Sequence, residues 1–164
     1  MLSPKSLTFQ AIEAIFKKAY YSQKVHNMGQ VHTDITLKNA GDESAVERGY
    51  IKDSKVREIT VQAMADTGAL ALTITEPVRK ALGLRIVKEG QVTYANNTKE
   101  TCGITEPVEV HWKDRSTSCW AVVIPGEGEV LLGAIPLEGM DLMVDPVSQQ
   151  LIGAHGDQPL YMCK

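Results

Sequence analysis

The chain's apolar positions change their spacing near residue 28, and that change divides it into two parts. Over residues 3–23, Leu7, Ala11, Ile12, Ile15, Phe16 and Ala19 recur at helical spacing. Ser3 suits an N-cap and Pro4 a first helical position. This predicts an amphipathic helix, and residues 1–27 are expected to be a helical extension preceding a domain over 28–164.

From Met28 the period becomes two. GQVHTDITLKN reads as a strand carrying Val31, Ile35 and Leu37, whereas AGDESAVERGYIKDSKVR (40–57) is polar and is expected to be a solvated connection or a small hairpin. REITVQAMA (57–65) and LALTI (70–74) are strand-like. Pro77 then opens a short helix, PVRKAL, with Gly83 placed to stop it. Further strands are predicted at RIVKEGQVTY (85–94), ITEPVEVHW (104–112), SCWAVVIP (118–125), EVLLGAI (129–135), LMVD (142–145) and QQLIGA (149–154). Turn formers separate them at Asn96-Asn97, Lys113-Asp114, Gly126-Glu127-Gly128 and Pro146-Val147-Ser148. Many short strands with one short helix predict a mainly β barrel or sandwich.

Composition narrows the function classes. With 164 residues, 43% hydrophobic and 23% charged, the chain has the makeup of a soluble globular domain. A net charge of -3 without basic runs gives no sign of a nucleic-acid surface. No apolar stretch reaches the ~20 residues of a membrane span. Cys102, Cys119 and Cys163 lie far apart, and His26, His32, His111 and His155 are scattered. Neither a disulfide framework nor a metal site is expected, and a reducing, cytoplasmic setting fits best.

One stretch breaks the core pattern. In QAMADTGALALTIT (62–75), Asp66-Thr67-Gly68 interrupts two apolar runs. By residue usage alone such a tripeptide arises by chance in about one chain of this length in twenty, so its context has to decide. Strand signals enter and leave the loop at once, which predicts a buried loop. Lys and Arg are absent from residues 58–78, so no local cation offsets the carboxylate. A lone buried carboxylate is costly, but two can share one proton across a symmetry axis. Thr67 offers a hydroxyl for linking two such loops, Gly68 permits close backbone approach, and Ala69 leaves room above.

This stretch resembles the retropepsin-like aspartic proteases, which carry an apolar-apolar-Asp-Thr/Ser-Gly-Ala loop and a later apolar-apolar-Gly segment threading beside it. Val130-Leu131-Leu132-Gly133 supplies the second element. Between the two, the family places a substrate-covering flap hairpin. QVTYANNTKETCGITEPVEVHW fills that slot, with Tyr94, Ala95, Asn96 and Asn97 at its tip.

The resemblance spans roughly residues 28–155 and implies a closed β-barrel of the acid-protease fold, with Asp66 catalytic, Thr67, Gly68 and Ala69 forming its loop, and Leu131, Leu132 and Gly133 supporting it. Retroviral members pair an acid after the Ala with an Arg after the second Gly. This chain has Leu70 and Ala134 there. Asp66 begins the only Asp-Thr-Gly in the sequence, so a two-carboxylate site requires a homodimer. The implied activity is endopeptidase cleavage of a polypeptide by activated water, without cofactor or metal. The alternative is a dimeric binding or regulatory module of the same fold that has lost proteolysis.

Competing sites lack motif context. GEGEVLLG has no Lys-Ser/Thr of a phosphate loop and reads as a hairpin turn, and no Ser-His-Asp arrangement stands out. Trp112, Trp120 and Tyr94 are expected in the core or on cleft walls.

Overall fold

The computed structural model describes residues 30–93, 97–126 and 128–159. The helix expected over residues 3–23 lies outside them, as do Tyr94, Ala95 and Asn96. A compact unit begins at Val31.

Strand β1 (Val31–Asn39) buries Val31, Ile35, Leu37 and Asn39 on one face, as its alternation predicts. It pairs antiparallel along its length with β2 (Glu58–Ala65). Between them, α1 (Ala40–Glu47) and a 3-10 turn (Asp53–Lys55) replace the expected solvated connection. The helix starts because the Asn39 side-chain oxygen accepts from the backbone N–H groups of Gly41 (2.9 Å) and Asp42 (3.2 Å). Asp42 and Glu43 also place negative charge in its first turn.

After the Asp66 loop come β3 (Leu72–Thr75) and α2 (Glu76–Ala81), with Thr75 as N-cap, Pro77 in the first turn and Gly83 at φ 60° just past the end. β4 (Ile86–Thr93) and β5 (Lys99–Thr105) form an antiparallel hairpin. The single strand expected over 104–112 is broken at Glu106-Pro107. The Glu106 N–H turns to the Arg85 carbonyl (3.1 Å), and β6 (Val108–Trp112) starts afresh. β7 (Arg115–Cys119), β8 (Ala121–Ile124) and β9 (Val130–Leu132) follow.

β9 is shorter than the apolar run EVLLGAI suggests. At Gly133 the chain turns into α3 (Ala134–Gly139), whose Pro136 is tolerated in a first turn. A separate hairpin of β10 (Leu142–Asp145) and β11 (Gln150–Gly153) turns at Pro146-Val147-Ser148, as expected. The one short helix anticipated is therefore three α-helices among the described residues.

The nine-stranded sheet runs β4-β5-β8-β3-β9-β2-β1-β6-β7. Among the described residues no ladder joins β7 to β4, so the sheet is open where a closed barrel was expected. Most pairs are antiparallel, but β2 with β9 and β3 with β8 are parallel. Ile35, Leu37, Leu72, Ile74, Leu82, Leu84, Leu132 and Met140 are all below 2% exposed and form the centre of the core. Removing that much aliphatic surface from water is the main term holding the sheet together, at about 25 cal/mol per Å² of apolar surface.

Candidate active site

β2 delivers Asp66 and β3 carries the chain away, and β9 lies between them in the sheet. Met64 pairs with Leu131 and Ala65 with Leu132 on one side, while Thr73 pairs with Leu131 on the other. The Leu131-Leu132-Gly133 segment therefore lies beside the Asp66 loop.

Backbone hydrogen bonds fix the loop from both flanks. The Asp66 N–H donates to the Leu132 carbonyl (3.1 Å), the Ala134 N–H to Ala69 (2.8 Å) and the Ile135 N–H to Leu70 (3.0 Å). Within the loop, the Ala69 N–H donates to the Asp66 carbonyl (3.1 Å) and the Gly68 N–H to Asp66 Oδ1 (2.8 Å). That last bond is an Asx turn, and it sets the carboxylate's orientation. Gly133 is required by space: a Cβ there would stand 2.4 Å from the Ala71 carbonyl oxygen and 2.8 Å from that of Ala69.

The loop is not buried as its flanks suggested. Asp66 and Ala69 are half-buried, whereas Thr67 and Gly68 are exposed. Ala63 and Ala65 before the loop and Ala71, Leu72 and Ile74 after it are buried, whereas Leu70 and the loop's tip are exposed. Among the described residues no cation pairs with Asp66, in line with the absence of Lys and Arg from residues 58–78.

Beside this loop opens a cleft of about 420 Å³. It is lined by Ala69, Leu70 and Leu131 beside the loop and by alternate positions of three neighbouring strands: Val92 of β4, Ile104 of β5 and Ile124 of β8. Trp120 also faces it, 39% exposed, whereas Trp112 is in the core and donates from Nε1 to Thr33 Oγ1 (2.9 Å). The β4–β5 hairpin is paired as far as Thr93 with Lys99 and overlaps the first part of the 91–112 stretch, whose last residues form β6 and pair with β1 and β7 instead. Asn97, at φ 62°, lies in its turn; the other tip residues lie outside the described ones. Of the cleft-lining residues, Ala69, Leu131 and Trp120 were singled out in the sequence, whereas Val92, Ile104 and Ile124 were not. The period of two was visible there, but which face of each strand looks toward Asp66 depends on the sheet order.

The model of the aspartyl protease family matches residues 40–135, which is 96 of the 164 residues and spans both the Asp66 loop and Gly133. The chain belongs to the aspartyl protease family. Within it, this member is retropepsin-like, with one Asp-Thr-Gly and a mainly β fold. Among solved structures it is similar to the EIAV protease complexed with the inhibitor HBY-793. That match has 16% identity and a TM-score of 0.46, and covers 68% of this chain and 89% of that one. No curated protein matches the sequence.

Proposed function

We propose that the protein is an aspartic endopeptidase working as a homodimer, with one Asp66 from each subunit forming the catalytic pair. The observation that carries this reading is the placement of Asp66. Its carboxylate is oriented by the Gly68 N–H, on a loop whose Thr67 and Gly68 are exposed and whose Gly68 and Ala69 line an apolar cleft.

In such a pair one proton is shared, because two adjacent carboxylates cannot both ionise readily. The ionised member takes a proton from water, and the hydroxide equivalent adds to the peptide carbonyl carbon. The protonated member gives its proton to the carbonyl oxygen. On collapse, the carboxyl that took the water's proton passes it to the nitrogen, the other carboxylate takes one back from a hydroxyl of the tetrahedral species, the C–N bond breaks, and no acyl-enzyme forms. The cleft beside Leu70, Ile104 and Trp120 suits an extended chain with apolar side chains. The scattered cysteines support placement in the cytoplasm, where Cys102 and Cys119 stay free and buried.

The test is Asp66→Asn. The variant should dimerise and melt like the wild type but cleave a permissive peptide library at least about a thousandfold more slowly, the scale of losing a group acting in the transition state. Equal cleavage by both would refute the assignment.

A further inference from the structure

We propose a second site, a divalent-cation site of the zinc class, between α1 and β6. Glu109 and His111 are two apart on β6 and so project from the same face of the sheet. Glu43 of α1 comes over them, with Glu47 one turn further along the helix. Together they line a recess of about 570 Å³. One ligand atom from each of Glu43, Glu109 and His111 lies within 4.8 Å of the other two.

The acids alone would not make a site; His111 supplies the deciding observation. Its Nε2 has less than 1 Å² of accessible surface and no hydrogen-bond partner, and it stands 3.9 Å from Glu43 Oε1. That separation is too long for a hydrogen bond and about 0.5 Å wider than the ~3.4 Å between ligand atoms of a tetrahedral ion with bonds of ~2.1 Å, so the pair closes slightly on a bound ion. Glu43, 29% exposed on a helix that buries none of its residues, is the ligand free to make that adjustment. One imidazole nitrogen with two carboxylates is a borderline donor set that suits Zn²⁺ better than the all-oxygen ions. A water completes a four-coordinate site, with Glu47 and Ser116 close by in the recess.

Lys38 is the built-in competitor. Its Nζ is 3.4 Å from Glu43 Oε1 and 3.7 Å from Glu58 Oε2. Metal entry moves Lys38 onto Glu58, its existing second partner, and frees Glu43. No sequence motif announces this site, because Glu43 lies in a segment read as a solvated connection and its partners follow some 65 residues later. The site is at the opposite end of β1 from Asp66: Val31 pairs with Ala65, while Lys38 pairs with Glu58 and Glu109. About seven strand residues, or ~23 Å, separate those ends, so a bound ion would anchor α1 to β6 without touching the reacting groups. The inference is independent of the proteolytic reading.

The experiment is titration of chelator-stripped full-length protein with Zn²⁺, followed by calorimetry and thermal melting. Wild type should bind one ion per chain and melt higher as Zn²⁺ rises above its Kd. His111→Gln and Glu43→Gln should each lose about tenfold or more in affinity. Lys38→Met, which removes the competitor and no ligand, should bind more tightly, and this arm holds even if a ligand variant folds poorly. Asp66→Asn should bind like wild type. Absence of stoichiometric binding overturns the proposal, as does unchanged affinity in a folded His111→Gln or weaker binding by Lys38→Met.

Discussion

Gly133→Ala isolates the packing that holds the Asp66 loop. Gly133 has φ -79° and ψ -177°, an extended backbone open to any residue, so the substitution adds no conformational strain and tests space alone. The new methyl would lie 2.4 Å from the Ala71 carbonyl oxygen, where ordinary contact begins near 3.4 Å, so the backbone has to shift by about 1 Å. That shift falls on the Ala134-to-Ala69 and Ile135-to-Leu70 hydrogen bonds, which join α3 to the loop. Overpacking costs ~1–3 kcal/mol and each weakened bond ~0.5–1.5 kcal/mol, giving about 2–6 kcal/mol in all. Urea unfolding should show a midpoint lower by about 1 M or more with little change in slope. Gly49→Ala is the control: Gly49 has φ 75° and nothing within 4 Å of the methyl it would gain, so only the left-handed penalty of about 1 kcal/mol applies. If Gly133→Ala unfolds at the wild-type midpoint, or costs no more than Gly49→Ala, the close threading of Gly133 is wrong.

Other perturbations read separate parts of the molecule. Asn39 is 2% exposed and its Nδ2 donates to the Leu82 carbonyl (3.0 Å), so Asn39→Asp, although a sound cap by residue type, sets a buried carboxylate against that oxygen. It should cost about 2 kcal/mol or more by thermal melting, exceeding Asn39→Ser; an Asp variant as stable as wild type would contradict this. Hydrogen bonds from Arg57 hold the Asp42 carboxyl below its ordinary 3.8, so its contribution is full above about pH 4 and fades as pH falls through the lowered value. Because Arg57 is 48% exposed, less than about 1 kcal/mol is at stake, and Asp42→Asn should flatten the acid limb of a melting-temperature profile by that amount. Arg115, 3% exposed, donates to Met140 O (3.0 Å), Asp141 O (2.7 Å), Asp141 Oδ2 (3.1 Å) and Gly156 O (2.5 Å). Arg115→Met should cost about 3–5 kcal/mol in chemical unfolding, because three backbone carbonyls lose their donor and Asp141 Oδ2 loses its guanidinium; a loss below about 1 kcal/mol would mean this buried network does not hold the C-terminal hairpin.

What the sequence displayed depended on whether local pattern or tertiary contact decided the outcome. Strand β1 was legible because Val31, Ile35 and Leu37 alternate into one core. The Asp66 loop and its Gly133 support were legible because each is a short motif whose chemistry is written in consecutive residues. Helix α1 was not, since AGDESAVE buries none of its residues and its cap comes from Asn39, which the alternation assigns to a strand. The break before β6 turns on where the Glu106 N–H finds its acceptor, a contact with Arg85 that no local window contains. The loop's exposure was misjudged for a related reason: apolar flanks bury themselves in β2 and β3 and say little about the tip between them.

Leu70 and Ala134 mark the position where the resemblance leads one to expect an acid and an arginine, and the structure shows why the loop stays in place without them. The Ala134 and Ile135 N–H groups reach the Ala69 and Leu70 carbonyls directly, so main-chain bonds make the joint that a side-chain ion pair would otherwise reinforce. Such bonds need no charged partners and no desolvation of a guanidinium, and they survive any side chain that leaves the backbone undisturbed. The change frees the side chain at residue 70 for another use. Leu70 is 68% exposed, borders the cleft and sits four residues from Asp66, with Ile135 37% exposed one hydrogen bond away. An apolar rim at that place offers surface that either a bound polypeptide or a second subunit would remove from water.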